Sequence, residues 1–217
     1  MKKIGILGTG MVGKTIGSKL ISLGFEVMMG SRSSNNEKAR EWVSTNGSNA
    51  SQGTFTEASS FGELIFNCTK GEHTLDALEM AGGANLSGKT LIDLSNPLDF
   101  SKGMPPFLIP SLVNTNSLGE TIQAKFPEVM VVKTLNIVNC EVMVDATKCG
   151  GEASMFLAGN NDGAKEKVKE ILNLFGWKDL IDLGDIVHAR STEMMLPIWL
   201  STYMAIKNAY IAFKIVR

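Results

Sequence analysis

The hexapeptide "GTGMVG" at Gly8–Gly13 is the stretch whose residue types point most directly to chemistry. It matches the pattern G-x-G-x-x-G, follows an apolar run typical of a strand, and opens a helical pattern. Gly8 permits a tight turn, Gly10 lets the backbone approach a pyrophosphate, and Gly13 lets the helix lie close to the strand. The N–H groups at the start of that helix attract an anion. The motif predicts a dinucleotide-binding loop, and a structural turn without a ligand is the alternative.

The second predicted strand is followed by Gly30-Ser31-Arg32, where an Asp or Glu is expected for NAD. An acid at this position accepts a hydrogen bond from the ribose 2′-hydroxyl and repels a 2′-phosphate. Arg32 instead offers fixed positive charge and planar donors, and Ser31 adds a hydroxyl. Lys38 fits either a second phosphate contact or a solvated helix position. These residues predict NADP(H) rather than NAD.

Few side chains are suited to acid–base catalysis. An enzyme that oxidises an alcohol needs a group that takes the hydroxyl proton, and His73 and His188 are the only histidines. Both also fit surface positions or structural hydrogen bonds. "YMAIK" at Tyr203–Lys207 has the Tyr-x-x-x-Lys spacing of short-chain dehydrogenases, but it lies too close to the end of the sequence for that fold. We therefore predict no catalytic acid–base pair.

A site without a catalytic acid–base pair suits the transfer of hydride between the nicotinamide and another molecule that itself carries hydride. Transfer between nicotinamide and a flavin-like ring moves hydride from carbon to carbon or from carbon to nitrogen, and the cofactors carry the reactivity. The protein then has to hold two rings close together and exclude water. This chemistry predicts a small-molecule redox acceptor of the flavin type.

The composition limits the other partners. A net charge of −1 over 217 residues provides no basic face for nucleic acid or for an anionic membrane. No apolar run approaches the roughly 18 residues of a membrane span. Cys68, Cys140 and Cys149 share no metal-ligand spacing, which predicts no metal site and favours a reducing cytoplasm.

Apolar runs alternate with helical patterns, as is typical of βαβ units around a parallel sheet. The predicted strands are Lys3–Leu7, Phe25–Met29, Ala50–Thr54, Glu63–Cys68, Thr90–Leu94, Val129–Thr134, Ser154–Ala158 and Leu180–Leu183. The predicted helices are Met11–Leu23, Glu37–Thr45, Thr74–Ala81, Leu112–Lys125, Asp162–Phe175 and Asp185–Tyr203, the last interrupted by Pro197. We expect an α/β fold: a Rossmann-type doubly wound parallel sheet at residues 1–134, with a small C-terminal α/β cap at 135–217.

Six segments together resemble a known family. They are "IGILGTGMVG", "GSR", "IDLSNPL", "VVKTLNIVNCE", "FLAGNNDGAKEKVKEIL" and "DLGDIVHARSTEMMLPIW". In this order and spacing they resemble the NADPH-dependent reductases of coenzyme F-420, a deazaflavin. The likeness spans residues 3–200. A similar nucleotide domain occurs in the cytosolic part of six-transmembrane metalloreductases, which pass hydride from NADPH to a flavin.

The resemblance implies cofactor contacts at particular positions. Gly8, Gly10 and Gly13, with Thr9, Met11 and Val12, would surround the pyrophosphate. Ser31, Arg32 and Lys38 would hold the 2′-phosphate. Thr69 and Lys70 would lie beside the nicotinamide ribose, and Asn96 and Pro97 would border the same crevice. Val138 would lie behind the nicotinamide ring, with Asn136 and Cys140 close by.

Other positions carry less specific implications. Arg190 and Glu193 match the family's AR-x-x-E helix, and an intrachain ion pair that fixes the cap is the alternative reading. Asn139 stands where the family commonly has proline. The apolar run Met194–Ile206 fits either a homodimer interface or core packing.

The sequence thus predicts an NADP(H)-dependent oxidoreductase that exchanges hydride with a deazaflavin or flavin. A non-catalytic NADP(H) sensor, and a reductase of a ferric chelate or quinone, are the alternatives.

Overall fold

The computed structural model describes residues 2–217, and these form two compact units. The first unit runs to Ser95 and includes Phe126–Met130, and the second comprises Asn96–Lys125 and Val131–Arg217.

Five parallel strands form the sheet of the first unit, which confirms the predicted Rossmann-type architecture. They are β1 (Lys3–Leu7), β2 (Glu26–Ser31), β3 (Ala50–Thr54), β4 (Leu64–Asn67) and β5 (Thr90–Asp93), in the order β5-β4-β1-β2-β3. Leu7 pairs with Gly30 on one side and with Asn67 on the other, so β1, β2 and β4 end level with one another. The strand order reverses between β1 and β4, and ligands of open parallel sheets bind at such a switch point.

Five helices accompany this sheet. They are α1 (Met11–Ser22), α2 (Glu37–Asn46), α3 (Phe55–Phe61), α4 (Thr74–Ala81) and α5 (Gly83–Leu86). Helices α3 and α5 are absent from the elements that the sequence pattern predicts. A signal for α3 was present, because Thr54 and Glu57 form a reciprocal capping box of the T-x-x-E type.

The second unit contains a short two-stranded hairpin and three strands that belong to the same eight-stranded sheet as β1–β5. The hairpin pairs β6 (Leu98–Asp99) with β7 (Phe107–Leu108), and the three strands are β8 (Met130–Thr134), β9 (Ser154–Ala158) and β10 (Asp179–Asp182). Strand β9 is antiparallel to β8 and parallel to β10. The helices are α6 (Leu118–Lys125), α7 (Cys140–Val144), α8 (Asp162–Leu174), α9 (Ala189–Met194) and α10 (Leu196–Ile206).

The predicted helix from Leu112 was wrong over its first part. Helix α6 begins at Leu118, where the hydroxyl of Ser117 accepts a hydrogen bond from the Glu120 N–H at 3.1 Å. The Ser117 hydroxyl in turn donates to the Glu120 carboxylate at 2.7 Å. The sequence "SLGE" is therefore a helix start of the S-x-x-E type, which the apolar periodicity did not indicate.

The single helix predicted over Asp185–Tyr203 was also wrong. The segment is a 3-10 turn (Ile186–His188) followed by α9 and α10, with Pro197 in the first turn of α10. Proline lacks the N–H that a helix interior needs but fits a first turn, so a new helix begins there. Leu196 is the only buried residue of α10, so core packing does not account for this apolar run. The homodimer stays a prediction.

Within residues 2–217, no helix is both long enough and apolar enough to cross a membrane.

Candidate functional site

A cavity of about 680 Å³ opens at the carboxyl ends of β1, β2 and β4 in the first unit. Its volume lies in the range of roughly 300–1,000 Å³ that is usual for small-molecule sites. We call it the switch-point cavity. Its lining residues are Gly8, Thr9, Gly10, Ser31, Arg32, Ser33, Asn36, Phe55, Cys68, Thr69, Lys70, His73, Asp76, Ala77 and Met80.

The three glycines of the loop after β1 have different physical roles. Gly8 has a φ of +119°, and a Cβ there would lie 2.7 Å from the Cys68 carbonyl oxygen. A Cβ at Gly13 would collide with the carbonyl oxygen of Gly8. A Cβ at Gly10 would meet no protein atom within 4 Å. The fold therefore requires Gly8 and Gly13, whereas the absence of a side chain at Gly10 leaves open space at the mouth of the cavity.

The start of α1 presents unpaired backbone donors beside this space. The first N–H groups of a helix have no carbonyl partner within the helix, and here they belong to the segment around Met11 and Val12. Gly10 is the N-cap, no side chain caps the helix, and its first turn contains no acid. An anion at this point meets donors and the positive end of the helix dipole.

The end of β2 carries positive charge and no carboxylate. The buried Ser31 hydroxyl donates to the Ser33 carbonyl oxygen at 2.5 Å and accepts from the Ser33 N–H at 3.3 Å. These bonds shape the turn that carries Arg32. The Arg32 side chain is exposed and lines the cavity, and it forms no ion pair within residues 2–217. Ser31 thus orders the turn, and Arg32 is the available phosphate donor.

Lys38 lies one residue into α2, is exposed, and is not among the lining residues. Asn36 lines the cavity and caps α2, because its Oδ1 accepts from the Ala39 N–H at 3.1 Å. The sequence reading did not include Asn36, although Asn before a helical pattern is a recognised N-cap signal.

The segment after β4 forms the wall of the cavity opposite the end of β2. Cys68, Thr69 and Lys70 line the cavity, and so does His73, whose side chain is largely exposed. Burial raises the pKa of the Cys68 thiol, and the charge of Asp93 raises it further. The raised pKa disfavours the thiolate form of Cys68.

These groups fit a dinucleotide that carries a third phosphate. Open space and helix N–H donors lie at the glycine loop, and a guanidinium without an acidic partner lies at the end of β2. The Lys70 ammonium supplies a further positive charge on the facing wall. A pyrophosphate suits the first group and a 2′-phosphate suits the second.

Comparison with known proteins agrees with this chemistry. Residues 3–97 match the family described as NADP oxidoreductase, coenzyme F420-dependent. A solved structure from Arthrobacter sp. FB24, assigned as an F420-dependent NADP reductase, is 44% identical, with full coverage of both chains and a TM-score of 0.93. The chain belongs to the coenzyme F420-dependent NADP oxidoreductase family.

Other relatives match this chain over part of their length. Metalloreductase STEAP3 of Rattus norvegicus is 30% identical over 91% of this chain, and the chain covers 38% of that relative. A reductive aminase from Aspergillus terreus, solved with NADPH, is 17% identical, with 95% and 62% of the two chains covered and a TM-score of 0.67. At this low sequence identity, the likeness to the aminase is evidence for a shared fold and not for a shared function.

The remaining predicted cofactor residues of this family member lie in the second unit. Asn96 and Asn136 pair reciprocally: Asn96 Nδ2 donates to the Asn136 carbonyl oxygen at 2.8 Å, and Asn136 Nδ2 donates to Asn96 Oδ1 at 2.9 Å. Val138 is buried, and Cys140 begins α7. Pro97 directly precedes β6, and its carbonyl oxygen accepts from the Ile109 N–H at 2.8 Å. Their roles toward the cofactor stay predictions.

Asn139, where the resemblance led us to expect proline, has a structural role. Its Oδ1 caps α7 by accepting from the N–H groups of Glu141 and Val142, and its Nδ2 donates to the Ala209 carbonyl oxygen at 2.7 Å. Proline could provide neither contact, so Asn139 ties the C-terminal segment to α7.

Arg190 and Glu193 of the family motif form ion pairs within the second unit. Arg190 contacts Glu120 through two nitrogens, at 2.7 and 2.5 Å. Glu193 lies 2.8 Å from the Lys133 ammonium. An intrachain ion pair was the alternative interpretation of Arg190 and Glu193, and in the structure each residue pairs with a different partner. His188 ends the 3-10 turn before α9 and is exposed.

Proposed function

We propose that this protein transfers hydride between NADP(H) and an acceptor of the deazaflavin or flavin type. One observation carries the proposal: a single cavity combines open space over Gly10 with the exposed guanidinium of Arg32 and with no carboxylate at the end of β2. An NAD site places an acid at that strand end, so this arrangement favours a nucleotide with a 2′-phosphate.

The residues of the cavity have separate tasks in this proposal. The N–H groups at the start of α1 hold the pyrophosphate, because they have no partner within the helix. Arg32 binds the 2′-phosphate through charge-assisted hydrogen bonds. Asn36 and the Ser31–Ser33 turn fix the backbone that carries Arg32. NADPH, when bound, supplies hydride from its nicotinamide ring.

The full-length likeness to the Arthrobacter structure supports the acceptor class. The Arthrobacter protein is assigned as an F420-dependent NADP reductase, and it is 44% identical over the whole of both chains. By contrast, this chain covers only 38% of metalloreductase STEAP3. A deazaflavin is therefore the acceptor that we test first.

An anaerobic acceptor screen tests the proposal. Purified protein and NADPH are mixed with oxidised coenzyme F420, FMN, a quinone or a ferric chelate, and the loss of NADPH absorbance is recorded beside the acceptor signal. We expect turnover with the deazaflavin or with FMN, and none with the Gly10→Val variant as matched control. Tight NADPH binding without turnover of any acceptor would identify a sensor and refute the proposal. Turnover of the ferric chelate or quinone alone would refute the acceptor class.

A further inference from the structure

A chain of buried hydrogen bonds lies behind one wall of the switch-point cavity, at the carboxyl ends of β4 and β5. Asn67 and Asp93 are fully buried there, and Asn67 Nδ2 donates to Asp93 Oδ1 at 2.6 Å. Ser95 donates to the same oxygen through its N–H at 3.2 Å and its hydroxyl at 2.6 Å. Asp93 thus anchors the nitrogen side of the Asn67 amide.

The oxygen side of that amide faces Thr69. Asn67 Oδ1 accepts from the Thr69 N–H at 3.3 Å and from the Thr69 hydroxyl at 2.6 Å. A backbone N–H can only donate, so the amide atom that faces it is the oxygen. An amide oxygen has no hydrogen to give, so the single hydroxyl hydrogen of Thr69 points to Asn67.

Thr74 completes the arrangement. Its Oγ1 is 2.9 Å from Thr69 Oγ1 and 3.2 Å from the Lys70 carbonyl oxygen, and it can donate to either. In both cases Thr69 has no hydrogen left to donate. A hydroxyl oxygen has two acceptor lone pairs, so Thr69, which lines the cavity, can act toward a ligand only as a hydrogen-bond acceptor.

The position of Thr69 in the sheet indicates which ligand group it meets. The strand order places β1 between β2 and β4. Arg32 follows β2, the glycine loop follows β1, and Thr69 follows β4. If Arg32 holds the 2′-phosphate of the adenosine ribose and the loop holds the pyrophosphate, Thr69 lies beyond the pyrophosphate, on the side of the nicotinamide ribose. Ribose hydroxyls can donate, whereas ionised phosphate oxygens only accept.

We propose that Asp93 and Asn67 orient the Thr69 hydroxyl so that it can only accept a hydrogen bond from a ligand. Thr69 then favours a hydroxyl of the nicotinamide ribose and disfavours a phosphate at this position. Thr69 is the contact residue, and Asn67 is a positioning residue that acts through it. This inference rests on the proposed function, because it assumes a dinucleotide in the cavity.

Calorimetry with two ligands tests the contact. NADPH contains the second ribose, whereas adenosine 2′,5′-bisphosphate lacks it but keeps the 2′-phosphate. We expect Thr69→Val to lower NADPH affinity by roughly three- to thirtyfold, in line with one lost hydrogen bond, and to leave the bisphosphate affinity unchanged. Thr69→Ser should restore NADPH binding, because serine keeps the hydroxyl. Unchanged NADPH affinity in Thr69→Val, or equal loss for both ligands, would overturn the proposal.

A double-mutant cycle tests the role of Asn67. We expect Asn67→Leu to weaken NADPH binding in the wild-type background and to add little in the Thr69→Val background. Fully additive losses would refute action through Thr69. If Asn67→Leu does not fold, the Thr69 variants decide the proposal alone. A wild-type protein that binds neither ligand would refute the proposed function itself, which separates that failure from this one.

Discussion

Lys133 and Glu193 form an ion pair of 2.8 Å, in which 0% and 1% of the respective side chains are exposed. Glu193 also accepts from the N–H groups of Leu118 and Gly119, at 2.8 and 3.0 Å. The carboxylate therefore faces both an ammonium and the positive end of α6. Through it, β8, α6 and α9 of the second unit are held together, which assigns Glu193 a structural role.

The Glu193→Gln variant should be strongly destabilised. It removes the charge that faces the buried Lys133 ammonium, and breaking a buried pair costs about 3–5 kcal/mol in free energy of unfolding. Urea unfolding measures the change. As a matched control, the Lys133→Met/Glu193→Leu double variant should recover part of that loss, because it leaves no uncompensated charge. A single variant as stable as wild type would show that the pair does not stabilise the second unit.

The strands were the most predictable part of the fold. Lys3–Leu7, Ala50–Thr54 and Ser154–Ala158 have the predicted bounds. Lys3–Leu7 and Ser154–Ala158 are almost entirely buried, and their mostly apolar sequences indicate this. Helix starts were predicted less well. "TFTE" is a capping box and "SLGE" begins with a serine that caps its helix, and these local hydrogen bonds leave no trace in apolar periodicity.

The Gly10→Val variant should lose NADPH binding while its thermal stability stays close to that of wild type. Gly10 has a φ of −76°, and a Cβ there meets no protein atom within 4 Å, so valine fits the fold but occupies the open space. Calorimetry and thermal melting measure the two quantities. Gly13→Val is the contrast, because its Cβ would collide with the Gly8 carbonyl oxygen, and it should unfold. Retained NADPH binding in Gly10→Val would place the pyrophosphate elsewhere.

The stabilising effect of Asp179 should disappear in acid. The Ser154 hydroxyl, followed by Lys214 and Arg217, lowers the pKa of Asp179 from 3.8 to about 2. A lowered folded-state pKa contributes stability above the unfolded value, and this contribution is lost as the pH falls from about 4 to about 2. The wild-type protein should therefore have a higher melting temperature than the Asp179→Asn variant at neutral pH, and this difference should shrink towards about pH 3. A difference that is constant or larger in acid would contradict this assignment.

Site residues could be predicted from the sequence where the residue type alone indicates its role, as for glycine in a tight loop or arginine beside a phosphate. The glycine loop and Arg32 line the cavity as their types suggest, since backbone geometry and fixed charge act locally. Ser31 was expected to contact phosphate, yet its hydroxyl bonds within its own turn. The contact between Asn67 and Asp93 joins residues 26 positions apart. Such a contact depends on strand pairing, which no local pattern contains.

The most direct test of the account is the nucleotide preference of the wild-type protein and of Arg32→Asp, measured by calorimetry. Wild type should bind NADPH more tightly than NADH. Arg32→Asp should lose about 1–3 kcal/mol of NADPH binding free energy through the missing charge-assisted contact, with a smaller effect on NADH. A wild-type protein that binds both nucleotides equally, or a variant that loses both equally, would contradict the claim that the end of β2 binds the 2′-phosphate.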